Sequence, residues 1–309
     1  MTTYQTLFPY LYAGVLGALF GSFLNVVILR FPRKMAWEWR KEALEWLSET
    51  PSPTLGLPQD TALETAARDA LQRHQQNEQP PGIVKKGSHC PVCKADIRWY
   101  DNIPILGWLM LRGKCRACKT SISIQYPLVE LVAGLLTTAS VFAFGWSAAA
   151  VAASVFLLLL LTLALIDART MFLPDDLVIP GIWVALSWSL IGHHFWPKDI
   201  IAPDLAMIGA ILGYAGLSTI ARLYGALTRR DGMGGGDLKL LGLIGAFLGP
   251  YALIPVIGLS AIAGSIVGIA LRMKEGESKP FPFGPWLALA AGFWCLVGQP
   301  LGWETMIFG

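Results

Sequence analysis

Six side chains are spaced for chemistry: Asp167, Asp237, Cys90, Cys93, Cys115 and Cys118. Asp167 closes the apolar run in "LLLLLTLALIDARTMFLPDDL" (157–177). Asp237 follows three glycines, Gly234 to Gly236, and stands just before 32 residues without a charge, Leu240 to Leu271. A carboxylate at the edge of hydrocarbon is costly, which by default marks it as functional. The plainer reading is that Asp caps helices and Gly suits loops. Two carboxylates from different apolar segments, ending at the same membrane face, make the functional reading stronger. A facing pair that cannot ionise together shares a proton, so one acid serves as base and the other as acid. That suffices to activate water against a peptide bond without a metal. The DTG or DSG triplet of soluble aspartic proteases is missing, and the nearest string is Asp60-Thr61-Ala62. Neither HExxH nor GxSxG occurs, so metalloprotease and serine-hydrolase readings lose their usual support. Glu130 competes at similar depth, while Asp175 and Asp176, after Pro174, suit the start of a helix.

The cysteines form Cys90-x-x-Cys93 and Cys115-x-x-Cys118, separated by 21 residues. Paired knuckles let four thiolates converge tetrahedrally, which suits Zn²⁺. A thioredoxin-like redox pair would want a βαβ context and only one such unit. Four thiolates leave no open coordination position, so the expected zinc is structural. Between the knuckles, the apolar piece Ile103 to Leu111 is too short to span and is expected to pack inside its own small domain. Cys295 stands alone in a late apolar run and reads as a small buried residue.

These residues need elements to hold them. The chain has 309 residues, 54% hydrophobic and only 15% charged, against roughly a quarter charged in soluble domains. Uncharged runs cover 1–29, 131–166, 177–197, 205–221, 240–271 and 280–303. A crossing takes roughly 20 apolar residues. The run 131–166 breaks at Gly145-Trp146 and the run 240–271 at Gly249-Pro250-Tyr251, so each reads as a hairpin. The second is too short for two full crossings, and one arm must be short. The expected fold is an all-α polytopic membrane protein of about eight transmembrane helices. A first helix (1–29) precedes a domain over 30–124, with a helical insertion and the four-cysteine site. A membrane core of about seven helices follows over 125–309. Within the domain, 36–50 and "TALETAARDALQRHQQNEQ" (61–79) read as helices.

Of the 24 Lys and Arg residues, 15 lie between positions 30 and 119, and only Lys198 falls in a connection on the opposite side. The positive-inside rule then makes the domain cytoplasmic and puts both termini outside. Residues 1–29 hold no basic residue, so a cleaved signal peptide is not expected. A reducing compartment disfavours a structural disulfide among the four cysteines. No basic stripe stands apart from the loops, which excludes nucleic acid as the expected partner and leaves the lipid bilayer.

"GSFLNVVILR" (21–30), the double CxxC around "WYDNIP", "ISIQYPLVE" (122–130), "DARTMFLPD" (167–175), "GMGGGDLKLLGLIGAFLG" (232–249) and "PFGPWLALA" (282–290) occur in that order. In this the chain resembles the bacterial type IV prepilin peptidases, the GxGD aspartic proteases also called prepilin leader peptidase/N-methyltransferases. The resemblance spans nearly the whole chain. It implies catalytic roles for Asp167 and Asp237 and puts the family's cytoplasmic cysteines on Cys90, Cys93, Cys115 and Cys118. It also implies an inner-membrane enzyme that cuts the leader from type IV prepilins or type II secretion pseudopilins at the cytoplasmic face. Such substrates carry a basic leader and an apolar N-terminal helix. The enzyme would then methylate the new N-terminus with S-adenosylmethionine, for which the residues themselves reveal no site. The chain departs by Leu173, where isoleucine is often seen, and by a long stretch over 34–84. Alternatives are a presenilin-like intramembrane protease, which would lack the four-cysteine domain, and a proton-coupled transporter. The transporter would need polar groups across the far leaflet.

Overall fold

The computed structural model describes residues 3–48, 61–77, 82, 89–197, 200–229, 234–275 and 281–303. Its contacts divide the chain into two units, Asn25–Arg98 and the remainder, Met1–Leu24 with Trp99–Gly309. Among the described residues, six helices are long and apolar enough to cross a membrane. The sequence reading expects about eight. The remaining apolar segments are helical but shorter: Gly235–Leu248 has 14 residues, and Gly284–Gly298 also falls below crossing length.

Helix α1 (Thr3–Ser48) runs for 46 residues, about 69 Å, more than twice a hydrocarbon crossing. The first span and the helix expected over 36–50 are therefore one element that continues through Pro32. Past the proline, ion pairs at helical spacing, Lys34–Glu38 and Lys41–Glu45, both 3.4 Å, lie along its surface. In the Asn25–Arg98 unit α1 is joined by α2 (Thr61–Asn77). The buried His74 of α2 stacks on Trp37 at 4.8 Å between ring centroids and bonds through Nε2 to the Trp37 carbonyl. The insertion is thus a helical pair packed on itself.

In the larger unit, α4 (Gln125–Phe144) lies against the start of α1 across a glycine seam. A Cβ on Gly17 would sit 2.6 Å from the Ala133 carbonyl oxygen, and one on Gly21 2.8 Å from the Glu130 Cα. Small residues let backbones approach this closely in lipid, and Thr137 adds a 2.8 Å hydrogen bond to the Ala13 carbonyl. The chain turns at Gly145, whose φ of 66° favours glycine, into α5 (Ala148–Thr170). Then come α6 (Asp175–Phe195), α7 (Pro203–Ile211), a wide π turn (Leu212–Gly216) and α8 (Leu217–Thr228).

Helix α9 (Gly235–Leu248) is the short arm that the sequence calls for, about 21 Å long. It ends at Gly249, φ 83°, and the chain returns through a 3₁₀ turn (Pro250–Ala252) into α10 (Leu253–Glu275). The last elements are α11 (Gly284–Phe293) and a second π turn (Trp294–Gly298). α9 packs against α6, α7, α10 and α11. Leu240, Leu241, Leu243 and Ile244 are all fully buried, so no side of the helix keeps a solvent face. Leu160 and Leu163 of α5 and Leu287 and Ala291 of α11 complete the same core. α7 and α9 are locked by glycine. A Cβ on Gly209 would lie 2.1 Å from the Gly245 carbonyl oxygen, and one on Gly245 2.1 Å from that of Gly209.

Candidate active site

Asp167 lies near the end of α5 and is 5% exposed. The helix closes one residue past Thr170, where Met171 adopts φ 50° and its N–H bonds the Asp167 carbonyl at 2.8 Å. That left-handed cap ends α5 within one turn of the carboxylate and turns the chain toward α6. The side chain meets the first residue of α11: the Gly284 N–H donates to Asp167 Oδ2 at 3.0 Å. The contact requires glycine, since a Cβ at 284 would sit 2.6 Å from that oxygen.

Asp237 is the third residue of α9 and is partly buried. Of the glycines before it, Gly234 is extended and caps the helix, while Gly235 and Gly236 are already helical. The run over 234–236 is therefore less a loop than the first turn of α9. Gly232 and Met233 lie outside the described residues. Two of the three make room: a Cβ on Gly234 would lie 3.2 Å from Asp237 Oδ2, and one on Gly236 3.1 Å from the Leu173 Cβ, whereas one on Gly235 would meet nothing within 4 Å. The helix dipole favours a carboxylate in this first turn. Asp167 and Asp237 are near enough for their charges to act on each other, so α5 and α9 bring together the two acids that the sequence singles out.

Two further contacts brace the region. Lys239, on the same turn of α9 as Asp237, donates to both oxygens of Asp175 at 2.7 Å each, joining α9 to the first residue of α6. Arg169 donates to Gln125, tying α5 to the first residue of α4. Glu130 has separate employment. It is buried, accepts the Ile105 N–H at 2.7 Å and is bonded by Ser22. Ile105 carries a φ of 62°, rare for a β-branched residue, and this hydrogen bond helps to hold it.

The cysteines sit in two knuckles of the same local form. Cys90 N–H bonds the Ala95 carbonyl at 2.9 Å and Lys94 N–H the Cys90 carbonyl at 3.0 Å. Twenty-five residues on, Cys115 N–H bonds the Thr120 carbonyl at 2.8 Å and Lys119 N–H the Cys115 carbonyl at 3.0 Å. Lys94 and Lys119 take φ of 60° and 61°, closing each turn in the left-handed region. The four cysteines are a donor set that could hold a metal ion, and Zn²⁺ takes four thiolates at about 2.3 Å each in a tetrahedron.

Three features lay beyond sequence reasoning. The Gly284 N–H is a backbone donor 117 positions from its acceptor. The Lys239–Asp175 pair joins helices whose contact no spacing reveals. Glu130 was weighed as a third acid and instead holds the 99–111 segment.

Comparison with known proteins follows the same lines. Residues 15–144 match the family model for the bacterial peptidase A24 N-terminal domain, and residues 154–269 that of the type IV leader peptidase family. A protein of Xanthomonas campestris pv. campestris named prepilin leader peptidase/N-methyltransferase is 39% identical over 96% of this chain and 90% of its own length. Proteins of the same name from Stutzerimonas stutzeri and Pseudomonas aeruginosa are 40% and 38% identical, each over 96% of this chain and 89% of its own. No solved structure matches the chain.

Proposed function

The chain belongs to the type IV leader peptidase family, and we infer that it removes the leader of prepilins and then N-methylates the product, with Asp167 and Asp237 as the acids that activate water. The observation that carries this reading is that two acids from different helices lie within electrostatic reach of each other. A buried Asp167, with one oxygen taken by the Gly284 N–H, acts on the charge of Asp237 from a different helix. An isolated helix cap would not need a second carboxylate.

The pair holds one proton between its two carboxyl groups. The unprotonated acid takes a proton from water as the water oxygen adds to the scissile carbonyl carbon. The other acid gives its proton to the carbonyl oxygen, and a tetrahedral diol forms. In the second half the base takes a diol proton, the carbon–nitrogen bond breaks, and the acid protonates the leaving amine. The dyad regains its starting charge. Gly284 holds Asp167 Oδ2 throughout, which leaves Oδ1 for the shared proton. The methyltransferase half of the relatives' name implies S-adenosylmethionine as methyl donor to the freed amine.

The metal at Cys90, Cys93, Cys115 and Cys118 is assigned as zinc, because four thiolates suit that ion and fill its coordination sphere. Its role is to tie two knuckles together, with no position left for substrate. Substrates are prepilins or type II secretion pseudopilins with a basic leader and an apolar helix. The enzyme sits in the inner membrane, with the knuckles and the dyad on the cytoplasmic side and both termini periplasmic, on the strength of the basic-residue distribution.

The test is direct. The purified protein, incubated with a synthetic prepilin in detergent, should release a product whose N-terminal sequence begins just after the leader. An uncut prepilin from active, folded protein would overturn the reading. Orientation is checked separately, with single cysteines in a background lacking the native ones. Those near Arg230 and Lys274 should be protected from an impermeant thiol reagent in intact cells, and one near Lys198 labelled.

A further inference from the structure

Residues 99–124 of the larger unit fold around an inward set: Gly107 against the Asp101 carbonyl, and Trp108 resting on Gly113 and donating to the Ile122 carbonyl at 3.2 Å. The segment contains a 3₁₀ turn (Trp99–Asn102) and the short helix α3 (Leu106–Met110). The expectation that Ile103 to Leu111 packs inside holds only in part: Gly107 is buried and Trp108 partly so, while several apolar side chains of residues 99–124 face out. Trp99 is 81% exposed, Met110 71%, Ile124 61%, and Leu106 and Leu109 over half. So many apolar groups in one short segment mark an interaction surface.

Two observations indicate what covers it. Glu130, the sixth residue of the membrane-length helix α4, accepts the N–H of Ile105 at the start of α3. The segment is thereby fixed to the first two turns of a membrane-length helix, the turns that in a crossing helix meet the headgroup region. Its charge is also one-sided. Arg112, Lys114 and Lys119 are exposed, while Asp101, its one acid, is held by Arg116 through bonds of 2.5 and 2.8 Å. Exposed apolar side chains and exposed basic ones within one short segment suit an anionic lipid surface. They suit the basic leader of a prepilin poorly, since like charges would meet.

We propose that residues 99–124 dock on the bilayer, with Trp99, Leu106, Leu109 and Met110 among the acyl chains and Arg112, Lys114 and Lys119 on anionic headgroups. The surface is distinct from the acids and goes beyond the peptidase reading, so it stands whether or not the protein cuts prepilins.

The test uses full-length protein and its Trp99→Phe variant in nanodiscs whose acyl chains carry bromine, with and without phosphatidylglycerol. Subtracting one emission spectrum from the other isolates Trp99. That emission should lose most of its intensity to the bromines, and lose more when phosphatidylglycerol is present. The double variant Lys114→Glu, Lys119→Glu should abolish the phosphatidylglycerol-dependent part. As a second readout, amide exchange over 103–111 should slow in the anionic discs. Unquenched Trp99 with rapid exchange would show a solvated face and overturn the proposal. Unquenched Trp99 with exchange slowed only by added prepilin would assign the face to substrate and overturn it equally. Quenching that ignores phosphatidylglycerol and the charge reversals would overturn the assignment of the basic side chains.

Discussion

The acids and the cysteines are held in opposite ways. Asp167 and Asp237 lie 70 positions apart on helices whose meeting depends on the fully buried leucines of α9, the glycine contact of α7 with α9, and a backbone donor from α11. Each cysteine knuckle is closed by its own hydrogen bonds over five or six residues and a left-handed lysine. The placement of the two acids thus comes from the packing of a whole core, which tolerates little displacement. The knuckles are preformed locally and need only a metal to join them. Damage to the first should remove chemistry and leave the fold. Damage to the second should act through folding.

The largest effect expected on this contrast comes from the acids. Asp167→Asn and Asp237→Asn should each lower cleavage by about 10⁴-fold or more, with the double variant no worse, as groups acting as one unit behave. Metal content should stay unchanged. The wild-type activity–pH profile should show two macroscopic pKa values that belong to the pair. An asparagine variant, free of wild-type enzyme, that still cuts prepilin at a comparable rate would remove the dyad. Methylation of an already cleaved pilin should survive both substitutions.

Cys90→Ser or Cys118→Ser should give the reverse pattern. Wild-type protein, purified reduced, should carry about one zinc per chain by elemental analysis. The variants should lose it along with most of their folded yield, because ligand binding is coupled to folding. Full yield and activity without metal would erase the contrast. Gly284→Ala tests the packed side at a single methyl group, which must displace Asp167. Cleavage should fall by about 10²-fold, the usual cost of a misplaced catalytic group, with little change in melting temperature. A larger thermal loss than catalytic loss would make Gly284 a packing residue only.

Smaller effects sharpen the boundary. Lys239→Met breaks a half-exposed pair, so its stability cost should stay below about 1 kcal/mol in thermal unfolding. Any larger fall in cleavage would measure how far that pair orients the first turn of α9. Glu130→Gln should change least, since an amide oxygen can still accept the Ile105 N–H, and substantial cleavage should remain. Glu130→Ala leaves that N–H unpaired at a cost of about 1–3 kcal/mol.

The same contrast explains what the sequence made legible. The knuckles were readable because CxxC spacing is local chemistry. The two aspartates were readable because each interrupts or borders a long apolar run. Their neighbours were not: the Gly284 donor belongs to the backbone, and the Lys239–Asp175 pair depends on which helices touch. The piece Ile103–Leu111 packs inside fully only at Gly107 and, in part, at residues such as Ile105 and Trp108, because apolar composition reports only that a segment avoids water. It does not distinguish a protein interior from lipid. The glycines before Asp237 read as loop residues, yet two of them are helical, since glycine here supplies clearance against Leu173 as much as freedom.

The contact between Gly209 and Gly245 carries an evolutionary consequence. Each position lies against the other's carbonyl oxygen, so any replacement on one helix collides with main chain that no side-chain rearrangement can move aside. Such a pair has no stepwise route of substitution, because neither change compensates for the other. Drift in this protein must go around these two positions. In a library of single substitutions selected for function, they should stand out as vacant columns, while apolar neighbours such as Ile208 accept a range of residues.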